Sequence, residues 1–231
     1  MVIGLLVAAS AAAFQVQEKS AVLTFDYHWP SQASAIPQLR RRLVAQMNHD
    51  RSRYTKMAEA DRAERASHHF PFFPYSFSRS LHFGGRSARL VSFADERNAF
   101  TGGAHGNPST SALLWDKAVG RTINFGDLFA SSPVRLLQPT YCERLAEQRK
   151  KKNGSDEVPD TWARCPNPMK LTIIPEDKNH DGRFETINVT ANPYDVGSYA
   201  EGYYIALLPV TPALLNALKT QYRSSFEVQR Q

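Results

Sequence analysis

The chain contains 231 residues, which is long enough for one domain with a substantial core. Apolar residues make up 42% of it and charged residues 22%, a composition typical of globular proteins rather than of disordered chains. The formal net charge of +6 favours acidic partners but does not select one class of them.

The N-terminus is a run of apolar and small residues over 2–13. About a dozen residues are too few to cross a bilayer, which needs roughly 20. The run matches the apolar region of a secretory signal peptide, with cleavage before Phe14; a buried N-terminal helix is the alternative. We therefore expect a signal peptide over 1–13 and one domain over 14–231. The protein would be exported, periplasmic or secreted, without a membrane anchor.

The first part of the chain predicts a strand followed by a long helix. Alternating apolar residues predict the strand over 21–29, and Pro30 ends it. The helix would begin after Ser31 or Ser34 and end near Ala66. Its apolar stripe consists of Ile36, Leu39, Leu43, Met47, Tyr54 and Met57. The arginines lie mostly off this stripe, which favours a solvated face over a nucleic-acid surface.

The middle of the chain predicts strands with short connections. The strands would be 75–83, 88–93, 110–115 and 121–125. Gly84-Gly85 and the polar segment 95–98 would be turns, and the short connections favour antiparallel pairing.

The last part predicts a helix over 133–149 whose inward residues are Leu136, Leu137, Tyr141 and Leu145. Three strands would follow, over 169–174, 185–190 and 203–208, and then a helix over 211–222 capped by Thr211. The whole pattern indicates an α+β fold, an antiparallel sheet with a long N-terminal helix and a C-terminal helix packed on it.

The chain has two cysteines, Cys142 and Cys165. In an oxidising compartment such a pair predicts a disulfide that closes a loop of about two dozen residues. Two free thiols are the alternative.

A glycine-rich loop separates two predicted strands and carries the candidate ligand-binding residues Thr101, Gly102, Gly103, His105 and Asn107. Glycine reaches positive φ without steric cost and lets a ligand approach the backbone. His105 could hold the turn through a ring hydrogen bond, contact a ligand, or act as a base. The sequence contains neither a Gly-x-Ser-x-Gly nor a His-Glu-x-x-His motif, so we assign no catalytic residue.

A second candidate site is the acidic turn over 177–185. Oxygen-bearing side chains occupy positions 1, 3, 5 and 9 of this turn, with glycine at position 6, as at the start of a calcium loop. The candidate metal ligands are Asp177, Asn179, Asp181 and Glu185. The pattern predicts a structural Ca²⁺ site of weak affinity; a turn without metal is the alternative.

The segments TGGAHGN over 101–107 and INFGDLF over 123–129, with the intervening turn 116–120, resemble the extracytoplasmic domain of the RsiV anti-sigma factor. The same module precedes the catalytic domain of PdaC-type peptidoglycan deacetylases. The segment 194–202 is similar to the C-terminal signature of that family. The resemblance covers roughly 22–222 and implies a non-catalytic α+β module of the cell envelope, which in RsiV binds lysozyme.

We therefore expect an exported, non-catalytic domain that binds an envelope protein such as lysozyme or a cell-wall glycan. We expect neither a sigma-binding segment nor a deacetylase domain, and no nucleic-acid partner. The alternative is an envelope hydrolase acting on peptidoglycan with His105 as base.

Overall fold

The computed structural model describes residues 12–154 and 159–229. The predicted signal peptide lies almost entirely outside these residues. The fold is α+β, as predicted, with a six-stranded sheet in the order β1-β2-β3-β4-β5-β6 and a three-stranded sheet in the order β7-β8-β9. The strands are β1 (Phe14–Lys19), β2 (Leu23–Trp29), β3 (Tyr75–Arg86), β4 (Leu90–Phe100), β5 (Asn107–Asp116), β6 (Arg121–Ile123), β7 (Thr172–Glu176), β8 (Thr186–Ala191) and β9 (Tyr204–Pro209).

The helices are α1 (Ser31–Ser34), α2 (Pro37–Ser67), α3 (Val134–Asn153), α4 (Pro212–Ala217) and α5 (Thr220–Arg223). The chain divides into two compact units. Unit 1 consists of Met1–Leu81 and Asn98–Gly106, and unit 2 of His82–Arg97 and Asn107–Gln231.

The predicted antiparallel sheet is wrong for the pair β2 and β3. Strands β1 and β2 are antiparallel, as are β5 with β6, β7 with β8, and β8 with β9. Strands β2 and β3 are parallel instead, because helix α2 lies between them and returns the chain to the end where β2 began.

The core of unit 1 joins helix α2 to strands β2 and β3. Leu39, Leu43 and Met47 of the predicted stripe are buried, whereas Met57 is 39% exposed. The ring of Tyr54 stacks on Phe77 with centroids 4.4 Å apart. The helix starts with Pro37, whose missing N–H is tolerated in a first turn, and it ends before the Phe70-Pro71 pair.

Strand β1 is absent from the prediction because most of its side chains face solvent and give no alternating apolar pattern. Its one strong apolar contact is Phe14, whose ring stacks on the buried Trp29 with centroids 3.8 Å apart.

The two predicted turns at 84–85 and 95–98 are wrong. Strand β3 continues through Gly84 and Gly85 to Arg86, and strand β4 continues through 95–98 to Phe100. A polar segment can be strand because residues two apart share a face. Asp95 is buried there, and the Arg97 guanidinium binds its carboxylate at 2.7 Å.

Gly85 is needed for close backbone approach rather than for a turn. Its φ is +144°, and a Cβ at this position would lie 2.5 Å from the Cβ of Asp177. The Asp177 N–H donates to the Gly84 carbonyl at 2.9 Å. The glycine pair therefore lets the end of β7 approach β3 within unit 2.

The predicted C-terminal helix over 211–222 is divided into α4 and α5. Thr211 caps α4 as expected, accepting a hydrogen bond from the Leu214 N–H at 3.2 Å. Leu218 is extended and forms a bridge with Phe129, and the Lys219 N–H donates to the Leu128 carbonyl. Hydrogen bonds to a distant segment thus replace those that a continuous helix would make here.

Helix α3 is stabilised by apolar packing and by the disulfide. Leu137, Tyr141 and Leu145 are buried as predicted, but Leu136 is 40% exposed. Cys142 and Cys165 are joined, which confirms the predicted disulfide, and their Cα atoms lie 5.6 Å apart.

We expect Gly85→Ala to lower the free energy of unfolding by about 1–3 kcal/mol, because the new Cβ strains the backbone and displaces Asp177. Urea-induced unfolding measures this. Gly103→Ala is the matched control, since a Cβ at position 103 would meet no atom within 4 Å. Equal effects of the two substitutions would contradict the close-approach explanation.

Replacing Cys142 and Cys165 by serine should lower the free energy of unfolding by about 3 kcal/mol, because the unfolded chain loses a loop constraint. Unfolding in urea with and without dithiothreitol checks this. The reductant should destabilise the wild type to the level of the double variant and leave the variant unchanged; any other pattern argues against the pairing.

Candidate functional site

The glycine-rich loop is present where the sequence predicts it, between β4 and β5. Gly103, His105 and Asn107 are exposed, and Thr101 and Gly102 are half-buried. His105 lies at the surface, where it is accessible to a large ligand. Its Nδ1 lies 2.8 Å from the Gly106 carbonyl, which can only accept, so this nitrogen is the donor. A ring hydrogen bond within the loop is one of the three roles considered for this histidine.

The base of the loop lies over the C-terminal part of helix α2 in unit 1. A Cβ on Gly102 would be 3.5 Å from a guanidinium nitrogen of Arg65 and 3.8 Å from a carboxylate oxygen of Asp61. Arg65 Nε donates to both oxygens of Asp61, at 3.0 and 2.8 Å. Burial, with the nearby Asp61 carboxylate, raises the pKa of Tyr75 beside them. The loop therefore packs against the ion pair of Arg65 and Asp61.

An exposed aromatic segment follows the same end of helix α2. The side chains of Phe70 and Phe73 are 64% and 54% exposed. Phe72 between them turns inward and stacks on Tyr75, with centroids 6.1 Å apart. Arg65 also donates to the Pro71 carbonyl at 3.3 Å, so the guanidinium that lies under the loop also holds this segment. We call Phe70, Phe73 and the loop residues 101–106, all of unit 1, the loop surface.

The prediction expects aromatic residues beside the loop but does not identify Phe70 and Phe73 as the exposed ones. In the sequence, HHFPFFP is a helix-ending segment, and nothing in it distinguishes an inward from an outward phenylalanine. The prolines on both sides of 72–73 are the available signal, because they favour an extended backbone on which successive side chains point in opposite directions.

The segment 194–202 is held in place by the half-buried carboxylate of Glu201. Glu201 accepts hydrogen bonds from the Ser198 N–H at 2.7 Å and from the hydroxyl of Tyr204. Burial alone would raise the pKa of Glu201, but these bonds and one from Asn153 outweigh it and lower the pKa to about 2. Burial and the Glu201 carboxylate raise the pKa of Tyr204 to about 12. The hydrogen bonds of Glu201 therefore give this segment a structural role.

Helix α3 contacts the same segment through its polar side chains. Arg149 is buried and donates to the carbonyls of Trp162 and Val196, each at 2.8 Å. Gln148 exchanges two hydrogen bonds with the backbone of Ile205, at 2.7 and 3.0 Å. Gln148 thereby covers backbone groups of β9, the last strand of its sheet.

A second exposed aromatic side chain lies in unit 2. Tyr194 is 58% exposed and has a φ of +74°, a strained value for a bulky residue. Its ring lies 5.8 Å from that of Tyr199, and its carbonyl accepts a hydrogen bond from the Trp162 indole.

The acidic turn connects β7 to β8. Asp177 and Glu185 are buried, whereas Asn179 and Asp181 are exposed. Within residues 12–154 and 159–229, no three His, Cys, Asp or Glu side chains form a group that could hold a metal ion. The structure therefore does not gather the three predicted carboxylates as one set.

A search for membrane spans among the described helices finds none with the length and apolar character required.

Comparison with known proteins relates part of the chain to one family. The family model described as "Deacetylase PdaC" matches residues 16–108, a range that contains helix α2, the exposed aromatic segment and the loop. No significant match to a curated protein is found.

Two solved structures of the DUF3298 family have a similar fold. One is from Bacteroides fragilis NCTC 9343, with a TM-score of 0.60 and 16% identity, covering 91% of this chain and 93% of that chain. The other is from Pseudomonas aeruginosa PAO1, with a TM-score of 0.57 and 14% identity, covering 94% of this chain and 96% of that chain. At these identities the likeness shows the fold alone. The closer resemblance to RsiV stays a prediction.

We expect Glu201→Gln to lower the free energy of unfolding by about 1–3 kcal/mol at pH 7. The amide has only one oxygen and cannot accept all the hydrogen bonds that the carboxylate accepts. A lowered folded-state pKa means that the carboxylate's contribution is complete above its ordinary value of 4.5 and is lost as the pH falls towards about 2. The difference between variant and wild type should therefore narrow between pH 5 and pH 3 in urea unfolding.

Glu147→Gln is the control for this measurement. Glu147 pairs with Arg144 on the exposed face of helix α3, so the substitution should cost less than about 1 kcal/mol at any pH. A Glu201→Gln effect that is equally large at pH 3 and pH 7 would show that the charge is not responsible.

Proposed function

We propose that this protein is an exported, non-catalytic module that binds a cell-wall glycan through the loop surface. The observation that carries the proposal is the pair of outward phenylalanines, Phe70 and Phe73, in a segment bound by Arg65, the arginine that also lies next to Gly102 of the loop. Aromatic rings supply large contact areas at low entropic cost, and they are enriched where proteins meet their partners. The apolar faces of sugar rings suit such side chains.

The family comparison and the charge support the same class of ligand. The match to the PdaC family model covers the loop surface, and a module of the cell envelope is what the resemblance to that family implies. The net charge of +6 favours an anionic wall polymer and disfavours lysozyme, which is itself strongly basic. A protein ligand therefore stands second to a glycan.

We expect the chain to co-sediment with insoluble peptidoglycan, and the double substitution Phe70→Ala with Phe73→Ala to weaken this binding at least about tenfold, since roughly 1.4 kcal/mol of contact is lost. His105→Ala should weaken it less, because the imidazole is one contact among several. The measurement is a sedimentation isotherm, with immobilised lysozyme as the parallel ligand.

Val119→Ala is the matched control, because Val119 is 49% exposed and lies outside the loop surface. Tyr194→Ala tests the other exposed aromatic. Loss of binding in Tyr194→Ala alone would place the ligand on unit 2 and overturn the assignment to the loop surface. If the chain bound immobilised lysozyme but did not bind peptidoglycan, the ligand would be a protein rather than a glycan.

The hydrolase alternative is tested in the same samples. If the wild type released soluble fragments from peptidoglycan, and if His105→Ala bound peptidoglycan but released none, the protein would be an enzyme. We expect no release from either protein.

A further inference from the structure

We propose that the turn between β7 and β8 binds a calcium ion through the carboxylates of Asp177 and Glu185. The inference is independent of the ligand proposed for the loop surface, since it concerns a turn of unit 2. It rests on two carboxylate oxygens that the fold buries without a hydrogen-bond donor.

Both carboxylates are more than nine-tenths buried, with 7% of Asp177 and 4% of Glu185 exposed. One oxygen of each is satisfied by the backbone of the turn itself. Asp177 Oδ2 accepts from the Gly182 N–H at 3.1 Å, and Glu185 Oε1 accepts from the Lys178 N–H at 3.1 Å. These bonds hold both carboxylates against the turn.

The other oxygen of each carboxylate, Asp177 Oδ1 and Glu185 Oε2, is buried and has no hydrogen-bond partner among the described residues. A buried carboxylate oxygen without a donor or cation is costly, and two such groups on one turn also repel each other. A bound cation would satisfy both oxygens at once.

Lys178 and Arg183 of the turn pair with carboxylates other than Asp177 and Glu185. Lys178 Nζ lies 2.8 Å from a carboxylate oxygen of Glu176. The Arg183 guanidinium lies 2.7 Å from Glu227, a residue outside the turn, and 3.6 Å from Asp181 within it. None of these ion pairs includes Asp177 or Glu185.

The other polar side chains order the turn, and backbone carbonyls and water would supply the remaining ligands of a calcium ion. Asn179 and Asp181 occupy positions 3 and 5, and their side-chain oxygens are held by N–H groups two residues on, at 3.1 and 3.0 Å. Gly182, at position 6, has a φ of +90°, which permits the sharp bend there. Calcium accepts six to eight oxygen ligands, including amides, carbonyls and water, so two carboxylates suffice at modest affinity.

The choice of calcium over magnesium follows from the number and kind of these ligands. Magnesium requires near-ideal octahedral geometry and keeps several waters. With two carboxylates, the expected dissociation constant is about 10⁻⁴–10⁻³ M, the range of extracellular calcium modules. Such a site would be filled outside the cell and would fix the turn against β3 at Gly85.

The test uses the full chain, treated with EDTA and dialysed against calcium-free buffer. Isothermal titration calorimetry with CaCl₂ should show one site, and millimolar CaCl₂ should raise the melting temperature more than MgCl₂ at equal ionic strength. Asp177→Asn and Glu185→Gln should each weaken calcium binding at least about tenfold and remove the rise in melting temperature.

The control variants are Asp160→Asn and Glu147→Gln, which make the same chemical changes on exposed side chains. They should keep both the heat of binding and the thermal response. No heat and no calcium-specific shift in the wild type would overturn the proposal. The proposal would also be wrong if the wild type did not bind calcium and if the Asp177→Asn and Glu185→Gln proteins were more stable than the wild type. That result would indicate that the two carboxylates share a proton.

Discussion

The packing of unit 2 depends on the carboxylate of Asp116, which is completely buried where β5 ends. It accepts hydrogen bonds from Arg89, from the Tyr222 hydroxyl at 3.1 Å and from the Ala118 N–H at 2.9 Å. Burial raises the pKa of such a group, but these donors outweigh it, and the pKa of Asp116 is lowered. The Arg89 guanidinium also lies over the Tyr222 ring, 4.5 Å from its centroid. One charge therefore joins the start of β4, the turn before β6 and helix α5, and a neutral isostere would leave all three with unsatisfied groups.

The same principle recurs in the other polar clusters. Arg149 satisfies two carbonyls, and Glu201 satisfies a tyrosine, a serine N–H and an asparagine. In unit 1, the buried Arg79 lies against Tyr27 and 3.8 Å from Asp50, which connects helix α2 to both of its strands. Each of these ionised groups is stabilised in the fold because several partners share its desolvation cost.

The sequence predicted the fold class, most elements and the disulfide, because apolar periodicity and cysteine spacing are local signals. The prediction was wrong where one residue type can serve two different structural roles. Gly84 and Gly85 look like a turn, yet they provide close approach to Asp177, a residue about ninety positions away. Asp95 and Arg97 look like a polar turn, yet they pair on one face of a strand. The loop at 101–106 was predictable because its glycines are close together in the sequence. The exposure of Phe70 and Phe73 was not predictable, because their outward direction depends on where Phe72 packs.

The distinction between groups that the fold uses and groups that it leaves exposed bears directly on function. Ser198 and Glu201 of the segment 194–202 are engaged in one hydrogen-bond network with Tyr204, so a role in stability accounts for them. Phe70 and Phe73 show the opposite behaviour, since their exposed rings contribute little to the core of unit 1. A side chain with large apolar area and little role in packing is better explained by contact with another molecule than by folding. By that reasoning the loop surface is a stronger candidate for recognition than the segment 194–202.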